Sequence, residues 1–226
     1  MPHLVANFEN GLQGWSTSAF DDVDPTVEPG IVRDGEKSSV IRLSGDQSSS
    51  QLILGGDGSS SGAGAVQVHE GDEYAFGFSV YIETMVYGVP GADNLIMRLK
   101  SDASEAPAFG LQLWDLPGYP WEASQRGLWS SGEAVGGDRF LAAVPERVWH
   151  DVAIRFKASS QGEGFYEVYL DGQLVDAREA VSLIAPGSSY AQIEVGLFRD
   201  GDRVQGDSEL HLDAAKLGDT LESVLP

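Results

Sequence analysis

The stretch FYEVYLDGQLVDA, residues 165–177, decides the fold. Its first half alternates two sets of side chains, Tyr166, Val168 and Leu170 against Phe165, Glu167 and Tyr169. That is the two-residue period of a strand with one face buried. Asp171-Gly172 then supplies two residues that tolerate positive φ, as a two-residue hairpin turn requires, and QLVDA returns as the second strand. An isolated hairpin is marginal in water, so partner strands must come from elsewhere in the chain.

Working outward, the same short alternating runs recur throughout, punctuated by Gly, Ser, Asp and Pro. Strands are expected at residues 3–9, 39–43, 51–54, 74–82, 94–100 and 108–114. Further ones are expected at 139–143, 148–157, 165–170, 174–179, 192–199 and 208–216, with a helical turn only at 220–224. Many short strands with regular turn signals indicate an all-β sandwich. The Ser/Gly-rich residues 55–64 read as a loop between strands. Residues 116–137, with Trp121 and Trp129, read as a long loop with little strand character, the kind that often carries function.

The chain has 226 residues and is 42% hydrophobic, ample for one core, and no stretch reads as a linker. A single domain over 1–226 is therefore expected, since sandwiches reach this size undivided. The absence of cysteine removes disulfides, thiol catalysis and thiolate metal sites. Fourteen Lys and Arg oppose 35 Asp and Glu, a net charge of −21. Such a field repels nucleic acid and anionic membranes, so neither is expected as a partner. It also disfavours a polyanionic substrate unless a local basic patch overcomes it. No apolar run is long enough to span a membrane, and the N-terminus lacks the pattern of a signal peptide. No oligomeric state is legible.

The strings RDGEKSSVIRL (33–43), EGDEYAFGFSVYI (70–82), VPERVWHDVAIRFKAS (144–159), GFYEVYLDGQLV (164–175), IEVGLFRDG (193–201) and LDAAKLGDTLESVLP (212–226) occur in this order. Together they resemble polysaccharide lyases of the heparin-lyase I and glucuronan-lyase type. That resemblance implies a concanavalin A-like jelly roll, two antiparallel sheets with a concave face that meets a polysaccharide. An extracellular or particle-associated setting is expected, with a protein that stays inside the cell as the alternative that the missing signal-peptide pattern leaves open. The opening string ANFENGLQGW (6–15) resembles the first strand of β-sandwich carbohydrate-binding modules, in which a Glu near the N-terminus and an Asp in the last strand often share a structural Ca2+. Glu9 and Asp213 are the matching residues here, and calcium takes such oxygen ligands.

A polyuronate lyase must neutralise a carboxylate, take a proton and protonate a leaving oxygen. In the resembled family an early-strand Arg, a central Gln-x-His and a late Tyr-x-Lys do this. This chain departs at each place. Gln51 stands near the Arg, and Arg98 and Lys100 occupy the Gln-x-His register. Gln192 and Glu194 occupy the Tyr-x-Lys register, with Tyr190 as the tyrosine if the register slides by two. The spacing of Arg98 and Lys100 puts both on one face of a strand, and the chain has only four lysines. Arg98, Lys100 and Tyr190 are therefore the candidate catalytic residues. Glu194 repels an acidic polymer unless Arg98, Lys100 or Arg199 screens it.

For sugar recognition the candidates are Gln51, Gln112, Trp114, Trp121, Trp129, Gln192, Glu194 and Arg199, because sugar faces pack on rings and hydroxyls bond to flanking polar groups. Trp149 is expected in the core, and His150 as a packing or hydrogen-bonding residue. His3, His69 and His211 are isolated. A paired-carboxylate glycosidase would need partners such as Glu194 and Glu167 on one face. Three readings follow: a polysaccharide-recognising protein with lyase chemistry lost or altered, an active lyase, or a structural or attachment protein of a secreted or viral particle.

Overall fold

The alternation along the chain is realised as strands. The computed structural model describes residues 4–6, 8–12, 14–20, 24–55, 65–86, 94–104, 106–116, 125–132 and 134–225. In chain order its strands are β1 (Leu4–Ala6), β2 (Trp15–Phe20), β3 (Thr26–Pro29), β4 (Lys37–Leu43), β5 (Ser49–Leu54), β6 (Gln67–Val68), β7 (Glu73–Thr84) and β8 (Asn94–Ser101). There follow β9 (Phe109–Leu116), β10 (Gln125–Ser131), β11 (Arg139–Ala142), β12 (Trp149–Lys157), β13 (Gly164–Leu170), β14 (Gln173–Val181), β15 (Ala191–Arg199) and β16 (Ser208–Gly218). A short 3-10 turn at Leu221–Ser223 comes last.

The strands form two antiparallel sheets. The first runs β14-β13-β12-β7-β16-β4-β3, with β1 added to β16. The second runs β11-β10-β9-β8-β15-β5-β2, with β6 added to β15. This is a jelly-roll sandwich. One contiguous core, with residues from Phe8 to Leu217, fills the space between the sheets. The deciding hairpin forms as expected: Asp171 and Gly172 take φ values of 50° and 76° between β13 and β14. Asp171 also receives His150 Nδ1 at 2.9 Å, while His150 Nε2 meets the Pro145 carbonyl.

All twelve expected strands occur, and four more were not legible: β2, β3, β6 and β10. The last corrects the reading of 116–137 as a loop, because Gln125–Ser131 pairs along its whole length with β9. Gly127 at its centre leaves room for the Ala142 carbonyl, a close approach that a Cβ would block. Trp149 is also corrected. It lies half-buried on the outer face of the first sheet, 5.5 Å from the Tyr81 ring, while its neighbour His150 is the buried one.

The two sheets differ in a way that locates the site. On the first sheet, β13 alternates buried and half-buried residues, as a strand with one wet face should. On the second sheet, β5 is buried at every position and β15 at all but Gln192. The side chains of β5 and β15 are therefore buried on both faces of the sheet, whereas those of β11 at its edge are exposed or half-buried.

Candidate functional site

Strands of the second sheet alternate between the core and its outer face. From β5, β9 and β15 the core takes Leu52, Leu54, Phe109, Leu111, Leu113, Ile193, Val195 and Leu197. Their neighbours must then face outward: Gln51 and Ile53, Gly110, Gln112 and Trp114, Gln192, Glu194, Gly196 and Phe198. On β8 a register shift lies between Leu95 and Met97. It sends Ile96 into the core beside Met97 and leaves Leu95 on the outer face with Arg98 and Lys100.

Strand pairing arranges these residues in transverse rows. One row reads Phe140, Trp129, Gln112, Leu95, Phe198 across β11, β10, β9, β8 and β15. The next reads Ser131, Gly110, Arg98, Glu194, Ile53, Ser16. Beyond it Lys100 sits opposite Gln192. Tyr190 lies just before β15, where its carbonyl accepts the Asp102 amide at 3.1 Å.

The centre of the face is an ion pair. Arg98 Nε donates to Glu194 Oε2 at 2.5 Å, with Glu194 almost wholly buried. The guanidinium carbon also stands 4.0 Å from the centre of the Phe198 ring. Arg98 thus screens Glu194, and in doing so its own charge is engaged from the edge by a carboxylate and from the face by a ring.

At the β9–β11 end lies an aromatic cluster. Trp114 and Trp129 meet edge-to-face at 5.5 Å, and Trp129 and Phe140 at 5.3 Å. Both tryptophans are buried. Gln112, between these rings and Leu95, donates its amide to Asp138 at 2.9 Å. Several buried polar atoms of this face have no hydrogen-bond partner: Ser16 Oγ, Gln51 Oε1, Gln112 Oε1 and Trp129 Nε1. Buried polar groups are almost always paired, and the described residues hold four more such atoms, Trp15 Nε1, Ser39 Oγ, Ser50 Oγ and Asn94 Oδ1.

The structure thus gathers Arg98, Lys100, Gln51, Gln112, Trp114, Trp129, Gln192 and Glu194 on one face, with Tyr190 at its end. Trp121 lies outside the described residues. Arg199 is corrected. It turns into the end of the sandwich, where Nε donates to the Gln47 carbonyl and a terminal nitrogen to the Gly45 carbonyl. Burial lowers its pKa, and it holds a loop and cannot screen Glu194. The glycosidase pairing is also removed, because Glu167 bonds to Arg155 and Tyr169 on the opposite outer face, that of the first sheet.

The sequence reading missed Phe140, Phe198, Leu95 and Asp138. Phe198 was accessible to it, being four residues from Glu194 on the same strand face. Leu95 was hidden by the bulge, and Asp138 reaches Gln112 only through the tertiary fold.

Glu9 and Asp213 meet the same turn. Asp213 accepts the amides of Arg33, Asp34 and Ala214, and Glu9 accepts those of Glu36 and Lys37. Burial raises the Asp213 pKa against the pull of those amides, whereas the Glu36 and Lys37 amides lower that of Glu9. The donor types suit calcium, while backbone amides engage Glu9 Oε1 and both oxygens of Asp213. No group of three His, Asp or Glu poised for a metal occurs among the described residues.

The family profile described as polysaccharide lyase matches residues 10–216, and the chain belongs to that family. Among solved structures it resembles the endo-β-1,4-glucuronan lyase of the fungus Trichoderma reesei at a TM-score of 0.70 and 18% identity, covering 100% of this chain and 99% of that one. It also resembles alginate lyase Aly36B in complex with an alginate trisaccharide (TM-score 0.63, 10% identity, 95% and 96% covered). A third likeness is to the cellulose-induced protein Cip1 (TM-score 0.60, 13% identity, 96% and 98% covered). No curated protein sequence matches the chain. No helix among the described residues is long and apolar enough to cross a membrane.

Proposed function

We propose that the protein recognises a polysaccharide on the outer face of its second sheet, with the lyase chemistry of its family lost or altered. The observation that carries this reading is the buried Arg98–Glu194 pair. A lyase needs an open cation or amide for the uronate carboxylate, and here the arginine at the centre already has its carboxylate. Titration calorimetry against a panel of polysaccharides tests the reading. Binding is expected without a rise in absorbance from an unsaturated product.

A second reading is favoured by one cluster. Lys100 pairs with Gln192, two residues after Tyr190, and the His69 ring stands edge-to-face on Tyr190 at 6.2 Å. These groups have the types that an acid–base β-elimination uses. Steady production of the unsaturated product, abolished by Lys100→Ala or Tyr190→Phe, would replace the first reading with this one. Absence of both binding and turnover, with the protein found in a larger assembly, would favour an attachment role.

Calcium is a separate proposal for Glu9 and Asp213. Asp213 is a buried carboxylate with Asp34 as an acidic neighbour, which a divalent cation would offset. An ion there requires the turn at 33–37 to present carbonyls in place of amides. Chelation is then expected to lower Tm by several degrees, and an unchanged Tm sinks the idea.

A further inference from the structure

We infer that this face takes uncharged, hydroxyl-bearing sugar units at Gln112, Trp129 and Gln51, and discriminates against uronates. The inference rests on the reading of the face as a polysaccharide site. Gln112 is fully buried, and its Nε2 donates to Asp138 Oδ1. A carboxylate only accepts, so this contact settles which end of the amide is oxygen. Oε1 is left buried without a donor. Directly opposite in register, Trp129 holds a buried Nε1–H without an acceptor.

An unmet acceptor and an unmet donor on two residues paired in register have a specific complement. Sugar hydroxyls can both accept from the indole N–H and donate to the amide oxygen. A carboxylate answers only the indole. It has no hydrogen for Gln112 and is repelled by Asp138. Gln51, whose Oε1 is likewise buried and unpaired, repeats the demand three strands away. At the usual strand spacing that is about 14 Å, so the two contacts fall on different sugar rings.

The charges on the face agree. Among the described side chains, Arg98 and Lys100 are balanced by Glu194 and Asp138. Arg98 lies between the two glutamine positions, where a uronate carboxylate would seek it, and is already held by Glu194 and Phe198. The net charge of −21 adds long-range repulsion of a polyanion.

The test is titration calorimetry of the full chain at low salt with mixed-linkage β-glucan and galactomannan, against polyglucuronate and alginate. At least one neutral polymer is expected to bind tenfold or more tighter than either uronate polymer. Gln112→Leu should weaken that binding about tenfold, since a lost hydrogen bond changes affinity by that order. Gln51→Arg should lower neutral binding and raise uronate binding. If Gln112→Leu fails to fold, Gln51→Leu makes the same test at the other contact. Tighter binding of a uronate polymer overturns the inference and leaves polysaccharide recognition standing. Binding of no polymer removes that underlying reading as well. A folded Gln112→Leu or Gln51→Leu variant that binds like the parent overturns the assignment of the contacts.

Discussion

Replacing the two members of the Arg98–Glu194 pair one at a time and together should give unequal losses. Arg98→Met leaves the Glu194 carboxylate, whose side chain is only 3% exposed, without its cation. Stranding a buried charge in this way costs about 3–5 kcal/mol. Glu194→Leu strands Arg98 instead, but that side chain is 13% exposed and keeps its place over the Phe198 ring. A cation–π contact of about 1 kcal/mol and partial hydration offset part of the penalty, so about 2–3 kcal/mol is expected. The double variant removes both charges and should return to within about 1 kcal/mol of the parent. Each kcal/mol moves Tm by roughly 2–4 °C in a chain of this length. Arg98→Met should therefore lower Tm by about 6–20 °C, Glu194→Leu by about 4–12 °C, and the double variant by no more than about 4 °C. Urea unfolding of the four proteins closes the cycle. Single losses under about 0.5 kcal/mol, or a double loss equal to the sum of the singles, would refute the buried pair as the organising contact of the face.

Gly196→Ala would drive a methyl into the Ser50 carbonyl and to 2.6 Å from Gln51 Cα, both backbone, so β15 must separate from β5. A loss of about 2 kcal/mol or more in urea unfolding is expected, and an unchanged midpoint would contradict that close approach. Tyr166 donates to the buried Asp176, which also receives Ser130 and Arg139 of the other sheet. Tyr166→Phe should cost about 1.5–3 kcal/mol, read as a Tm drop of roughly 3–10 °C. Arg42 first, and Thr26 second, lower the Glu28 pKa to about 2. The unfolded chain therefore binds that proton first as pH falls. This contribution is complete above about pH 4.5 and disappears as pH approaches 2. Both side chains are more than a third exposed, so screening limits it to about 0.5–1 kcal/mol. Urea midpoints at pH 7 and pH 3 should converge in Arg42→Met, and an unaltered acid slope would contradict the assignment.

Strand identity and hairpin chemistry were legible along the chain because they are local. The period of two in residues 165–170 and the positive-φ residues Asp171-Gly172 need no partner to be read. The common face of Arg98 and Lys100 followed from the same period. What lay opposite them did not. That Glu194 meets Arg98, that Phe198 lies under the guanidinium, and that Gln112 stands beside Trp129 depend on which strands pair and in which register. Pairing is set by contacts between segments nearly a hundred residues apart, as Arg98 and Glu194 are. The shift at Leu95 reverses which residues at the start of β8 face outward, and Arg199 turns inward for carbonyls supplied by a distant loop. The sequence by itself determined an all-β sandwich and which residues carry polar or aromatic chemistry. Only the tertiary structure decided which charges are already neutralised and which hydrogen-bonding groups still want a partner, because both depend on neighbours that the chain brings together only when it folds.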